Sequence, residues 1–184
     1  MIRTLFVSMQ ELNKGARRPA DVPPSKLKKV GVVGAGFMGA GIAYVTAQAG
    51  LEVVLVDRDQ EAADKGKAYS HKLVSDQIMK GRAKTADREA LLGRITATAD
   101  YAALKGCDLV VEAVFEDPKV KAEVIAKVEA VVGPKTIFGS NTSTLPITGL
   151  ATTSQRPQNF IGIHFFSPVE KMLLVEVIMA KKTG

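Results

Sequence analysis

At 184 residues, 46% of them apolar, the chain can bury one sizeable core; its single cysteine excludes an internal disulfide framework and fits a reducing, cytoplasmic setting. The formal charge of +6 suggests a nucleic-acid surface until it is mapped: residues 1–30 carry seven Lys or Arg against two acids, and the remainder eighteen against seventeen. The globular part is therefore nearly neutral, which argues against a broad phosphate-binding face and against nucleic acid as a partner.

The first residues, "MIRTLFVSM", are too short an apolar run for a secretory signal and are followed by charge. The spacing predicts a short helix over Leu5–Asn13, and then "GARRPADVPPSK" reads as an extended linker. Residues 1–27 are accordingly a linker or the remnant of an upstream segment, and 28–184 the folded domain. From Lys29 the pattern alternates. "KVGVVG" is a buried strand, "FMGAGIAYVTAQAG" a helix closed by Gly50, and "EVVLVD" a second strand. Val30 to Leu51 is uncharged and long enough to span a bilayer, but its glycines, Tyr44, Thr46 and Gln48 read as strand, turn and helix, so no membrane span is expected.

Residues 59–94 read as a charged helical insertion, with apolar positions Tyr69, Leu73, Ile78 and Met79, broken near "KGRAKTADRE" and resumed by "REALLGRI". Then follow "DLVVEAV" as a strand and "PKVKAEVIAKVEAVV" as a helix starting at Pro118. "TIFGS", "NFIGIHF" and "MLLVEVIM" complete the set as strands. Strand and helix in turn predict an α/β fold of Rossmann type: a doubly wound, mostly parallel sheet with a helical insertion after the second strand. Cys107, just ahead of "DLVVEAVF", reads as a packing residue, and no metal is expected.

Gly34, Gly36 and Gly39 stand in the spacing G-x-G-x-x-G between a strand and a helix. The first allows a tight turn, the second lets the backbone approach a pyrophosphate, and the third lets helix and strand pack closely. Phe37 and Met38 open the helix whose positive end meets the phosphates. The second strand ends at Asp57, 23 residues beyond Gly34, where a carboxylate can accept both ribose hydroxyls of an adenosine. Asp57 favours NAD over NADP because it repels a 2′-phosphate; Arg58 beside it is the feature that would accept one.

His164 lies in the apolar run "NFIGIHFF", and Glu176 twelve residues on in "LLVEVIM". Burying an unpaired carboxylate is costly, so a hairpin of the two runs would let Glu176 face His164 and each answer the other's buried polarity. A carboxylate on one imidazole nitrogen fixes the tautomer and raises the basicity of the other. A hydride acceptor with a general base is the equipment for oxidising an alcohol. The structural alternative is a core histidine with satisfied hydrogen bonds.

Together "VGVVGAGFMGAGIA", "VVEAVFEDPKVK", "GSNTSTLPI" and "HFFSPVEKMLLVEV" resemble the NAD-binding domain of the 3-hydroxyacyl-CoA dehydrogenases of fatty-acid β-oxidation, over roughly residues 28–184. The resemblance implies a 3-hydroxyacyl-CoA substrate, NAD as cofactor, and a homo-oligomeric parent. It implies that His164 is the general base, Glu176 its orienting partner and Ser143 a hydroxyl contacting substrate and nicotinamide. Glu116 and Lys121 fall where the family touches the cofactor ribose and nicotinamide end, and Ser167 where the single-function enzymes carry Asn. Read without the resemblance, Glu116 and Lys121 make a solvated helix start and Ser143 a cap for the turn "NTST". Lys80, with Arg82 and Lys84, forms a basic cluster near the family's CoA-contacting Lys, and equally a solvated helix end.

"HFFSP" and the "MQELNKGARRP" tail are more like the multifunctional branch fused to enoyl-CoA hydratase. With the family's helical C-terminal domain missing after Gly184, the chain is expected to be an excised domain that binds NADH and turns over poorly. The competing expectations are a β-hydroxyacid dehydrogenase, whose base is a lysine in a later helix, and a non-catalytic NAD-binding module.

Overall fold

Seven short apolar runs pair into one sheet among the described residues, which are 7–11, 14–15, 21–23 and 26–184 of a computed structural model. The strands are β1 (Lys29–Val33), β2 (Glu52–Val56), β3 (Ile95–Thr98), β4 (Leu109–Glu112), β5 (Ile137–Ser140), β6 (Phe160–Phe165) and β7 (Val175–Met179). Their order is β3-β2-β1-β4-β5-β6-β7, with every neighbour parallel except β7, which runs antiparallel to β6. The first six strands follow the order of a doubly wound dinucleotide fold, in which the order of successive strands reverses between β1 and β4 and opens a crevice beyond the carboxyl ends of those strands.

The two-residue period of the strands builds a core on each face. Val30, Val32, Val53, Leu55 and Ile95 belong to one, where they meet Ile42, Ala43 and Ala47 of helix α1 (Phe37–Gln48), Val74 of α2 (Gln60–Met79) and Leu91 of α3 (Thr85–Gly93). Val33, Val54, Val56, Val110, Phe138 and Phe160 belong to the other, against Val124, Ile125 and Val128 of α4 (Pro118–Glu129) and Ile147, Leu150 and Ala151 of α5 (Ile147–Ala151). Phe138 and Phe160 stack with ring centroids 5.2 Å apart across β5 and β6. Asp59 caps α2 through the Ala62 N–H, and Asp117 caps α4 through those of Lys119 and Val120, with Pro118 opening that helix. Cys107 is buried, and burial pushes its thiol up to about 11, which suits a packing residue.

Several expectations need adjusting. Residues 7–11 are helical, while the rest of the predicted N-terminal helix and part of the predicted linker lie outside the described residues. The helical insertion ends in an additional strand, β3, and a short helix, α5, follows β5; neither was expected. Met79 is not an apolar contact of α2, because it is 78% exposed at the end of that helix. The strand carrying Glu176 is not buried either: every residue of β7, which forms the edge of the sheet, is exposed. No helix among the described residues is long and apolar enough to cross a membrane.

Candidate functional site

The tight turn between β1 and α1 depends on two glycines. Gly34 has φ +95°, and a Cβ there would come within 2.7 Å of the Ala113 carbonyl oxygen. Gly39 packs against the same turn so closely that a Cβ would sit 1.7 Å from the Gly34 carbonyl oxygen. Gly36 differs: no atom lies within 4 Å of its Cβ position, so the space in front of α1 is open. The first turn of α1 has no side-chain cap, which leaves backbone N–H groups at its positive end for an anion.

Asp57 follows the end of β2. Its Oδ2 accepts the Ala35 N–H at 2.5 Å and its Oδ1 the Arg58 N–H at 2.7 Å, so the carboxylate is oriented by backbone while each oxygen keeps a second lone pair. Gly34, Asp57, Arg58, Tyr101 and Lys127 line a cleft of about 500 Å³. Across Val114, which borders both, lies a second cleft of about 350 Å³ lined by Met38, Glu116, Asn141, Ser143, His164 and Ser167. The two clefts share Val114 as a wall, and Gly34 of the turn lines the first.

His164 and Glu176 are paired partners across β6 and β7, and the imidazole Nδ1 is 2.8 Å from a Glu176 carboxylate oxygen. A carboxylate only accepts, so Nδ1 carries the proton and Nε2 is left with its lone pair free to act as a base. The expected pairing is present but the expected burial is not: the side chains are 18% and 52% exposed. The Phe166 ring lies 4.6 Å from the imidazole, and Asn141 Oδ1 accepts the Phe165 N–H at 2.8 Å, tying the end of β6 to the loop after β5.

Glu116, Lys121 and Ser143 converge with residues that sequence reasoning passed over. Glu112, the last residue of β4, is fully buried. One of its oxygens accepts Lys121 Nζ at 2.6 Å and the Val114 N–H at 2.9 Å, and the other accepts Ser140 Oγ at 2.8 Å. Lys121 Nζ also lies 3.2 Å from Glu116 Oε2 and 3.5 Å from the Val114 carbonyl, and the lysine side chain is only 1% exposed. Lys121 is therefore not open to solvent as a helix-start residue would be; its ammonium is enclosed. Glu116 Oε1 accepts from the N–H groups of Ser143 at 3.0 Å and Thr144 at 3.2 Å and from the hydroxyls of Thr142 and Thr144. The signal for Glu112 was an acid inside "LVVEA", the same kind of signal that singled out Glu176.

Partial burial works to raise the Glu116 pKa, but the Thr142 hydroxyl, the Thr144 N–H and the Lys121 ammonium outweigh it and hold the carboxyl at about 2, below its ordinary 4.5. A depressed carboxyl contributes stability that is present above the unfolded value and lost as pH falls through the folded one. Comparing denaturant unfolding of the unmutated chain and Glu116→Gln should therefore show a stability gap that is constant above about pH 5 and closes as pH falls from 4.5 towards 2. A gap that did not change over that range would contradict it.

Phe37 is 57% exposed and meets Tyr69 edge-on with ring centroids 6.1 Å apart; it is not among the residues lining either cleft. The Tyr69 hydroxyl donates to Glu170 at 3.1 Å, linking α2 to the segment after Ser167. Lys80, Arg82 and Lys84 are exposed between α2 and α3 and line neither cleft. His71 is exposed. No group of three or more potential metal ligands occurs among the described residues.

Residues 29–184 match the family model described as 3-hydroxyacyl-CoA dehydrogenase, NAD binding domain. The chain is 42% identical over 180 residues to a fatty acid oxidation complex subunit alpha of Colwellia psychrerythraea and 46% identical over the same length to that of Pseudomonas syringae pv. syringae. Each match covers 98% of this chain and 25% of the relative, so the chain spans about a quarter of these proteins. Among solved structures, an (S)-3-hydroxybutyryl-CoA dehydrogenase from Ralstonia eutropha superposes with a TM-score of 0.83 at 40% identity, over 86% of this chain and 56% of that one. A 3-hydroxybutyryl-CoA dehydrogenase from Escherichia coli K12 gives the same TM-score at 35% identity, over 87% of this chain and 34% of that one.

Proposed function

Because the chain belongs to the NAD-binding domain family of the 3-hydroxyacyl-CoA dehydrogenases, we propose that it supplies the cofactor site and the base for oxidation of 3-hydroxyacyl-CoA to 3-oxoacyl-CoA in fatty-acid β-oxidation. The observation that carries the reading is the convergence of His164, Ser143 and Glu116 on one cleft that adjoins the cleft holding Asp57. A non-catalytic nucleotide-binding module would not need that convergence. The His164 and Glu176 pair also supplies a base where a β-hydroxyacid dehydrogenase would use a lysine from a later helix.

Bound NAD would supply the acceptor for the hydride from C3 of the substrate. Gly34 and Gly39 shape the turn, Gly36 leaves room for the pyrophosphate at the start of α1, and Phe37 and Met38 begin the helix that faces it. Asp57 accepts from the adenosine ribose. Ser143, Glu116 and Ser167 border the nicotinamide end, with Lys121 holding Glu116 from behind. The substrate hydroxyl passes its proton to His164 Nε2, and Glu176 stabilises the imidazolium that results. Ser143 donates to the substrate oxygen, and Lys80 meets a CoA phosphate.

In this reading residues 1–27 are a linker, residues 28–184 are the nucleotide-binding domain of a cytoplasmic multifunctional enzyme that assembles as a homo-oligomer, and further chain holds the acyl group. Mixing NADH and acetoacetyl-CoA with a polypeptide extended to the length of the relatives tests it: acyl-CoA-dependent loss of NADH absorbance is expected, and its absence overturns the assignment. Cofactor choice is testable on the chain itself. Asp57→Ala should weaken NADH about tenfold and narrow its advantage over NADPH, the loss expected for hydrogen bonds to a charged acceptor. Equal affinity of the unmutated chain for both nucleotides would remove Asp57 as the discriminating group.

A further inference from the structure

We propose that Glu112 is a positioning residue for the nicotinamide end of the cofactor site, acting through Lys121 and Glu116 on the turn that presents Ser143. This rests on the cofactor-site reading above. Glu112 is the innermost member of a network that ties three separate elements together. Its carboxylate, with no exposed surface, receives Lys121 from α4 on one oxygen and Ser140 from β5 on the other. Lys121 bridges to Glu116, and Glu116 gathers the donors of residues 142–144. Ser143 itself is exposed and lines the cleft with His164, so its place is set by contacts behind it and not by packing around it.

Charge makes Glu112 more than a packing residue. Lys121 is 1% exposed and has two anionic partners, one fully buried and one a third exposed. If Glu112 becomes neutral, Glu116 is left as the sole counter-ion of a buried ammonium, and leaving a buried charge underpaired is costly. Glu116 meets Lys121 through Oε2 while its Oε1 holds the N–H groups of Ser143 and Thr144, so a stronger pull on Oε2 bears directly on the oxygen that holds that turn. An ion pair that merely closed α4 onto the sheet would have no such consequence for the cleft. Glu112 also stands at the crevice itself, paired with Val33 just ahead of the glycine turn and with Ser140 just ahead of the Ser143 turn. In the adenosine cleft Asp57 and Gly34 lie outside the network, which reaches that cleft at Val114, whose N–H Glu112 accepts.

The separation of the two ends gives the test. NADH and ADP share the adenosine diphosphate and differ in the nicotinamide riboside, so their affinities for the chain, read by fluorescence and calorimetric titration, report on the two clefts separately. Glu112→Gln should weaken NADH about tenfold, as for a displaced hydrogen bond to a charged group, and alter ADP by less than about twofold. Equal weakening of both ligands, or none of either, overturns the proposal and leaves Glu112 a structural ion-pair partner. If Glu112→Gln shows no cooperative melting, Ser140→Ala is read in its place, since it frees one carboxylate oxygen and keeps the ion pair. There a selective NADH loss of about threefold is expected, and an unchanged NADH-to-ADP ratio overturns the proposal. Should the unmutated chain bind ADP and NADH equally, nothing is held at the nicotinamide end and this inference alone falls. Should it bind neither, the cofactor-site reading falls with it.

Discussion

His164→Gln should lower NADH-dependent reduction of acetoacetyl-CoA by roughly 10² to 10⁴, the range of a lost general acid–base, while NADH affinity stays within about twofold. In that direction the imidazolium gives its proton to the carbonyl oxygen, and in the oxidative direction Nε2 removes it. Glu176→Gln keeps the shape of the pair and removes the charge that fixes the tautomer. Because the Glu176 side chain is 52% exposed, its charge is partly screened, and a loss near the lower end, about 10², is expected. The double variant should be little worse than His164→Gln alone, since the carboxylate acts only through the imidazole. Near-normal turnover in His164→Gln would make the pair structural. Loss of NADH binding in both single variants, with loss of the folded state, would do the same.

Gly39→Ala and Gly36→Ala should separate folding from binding within one turn. A Cβ at Gly39 would sit 1.7 Å from the Gly34 carbonyl oxygen, a backbone atom that cannot swing aside, so either α1 or the turn must shift. Overpacking of this kind costs roughly 1–3 kcal/mol or more, and it should depress the melting temperature and NADH affinity together. At Gly36 nothing lies within 4 Å of the Cβ position. Gly36→Ala should melt within a few degrees of the unmutated chain, a shift of under about 1 kcal/mol, yet bind NADH at least about tenfold more weakly. The added methyl group would occupy the approach of the pyrophosphate to the backbone. Normal NADH binding by Gly36→Ala would place the pyrophosphate elsewhere.

The part of the cofactor site that was legible in the sequence is the part built by neighbours along the chain. A strand, a glycine turn and a helix occupy residues 29–48, and Asp57, which lines the same cleft as Gly34, follows one strand later. Strand β3 escaped because "ITAT" is four residues long and owes its pairing to β2, about forty residues earlier. Helix α5, at five residues, is equally short and is held by burial of Ile147, Leu150 and Ala151 rather than by a strong local period. The register of His164 with Glu176 was legible for the opposite reason: two apolar runs joined by a short connection have few ways to pair.

Glu112 and Glu176 mark the boundary between what the sequence determined and what the tertiary structure decided. Each is one acid in a run of apolar residues, "LVVEA" and "LLVEV", and by composition alone the cost of burial applies equally to both. The sequence by itself determined the alternation of strand and helix, the glycine turn, the acid at the end of the second strand and the pairing partner of His164. Only the layering of the sheet decided that Glu112, on central strand β4 beneath helices on both faces, is fully buried and must be answered by Lys121 and Ser140. The same layering left Glu176, on edge strand β7, half in solvent. Burial is a property of where a strand lies in the sheet, and strand order is set by contacts between segments far apart in the chain, which no local pattern of residues encodes.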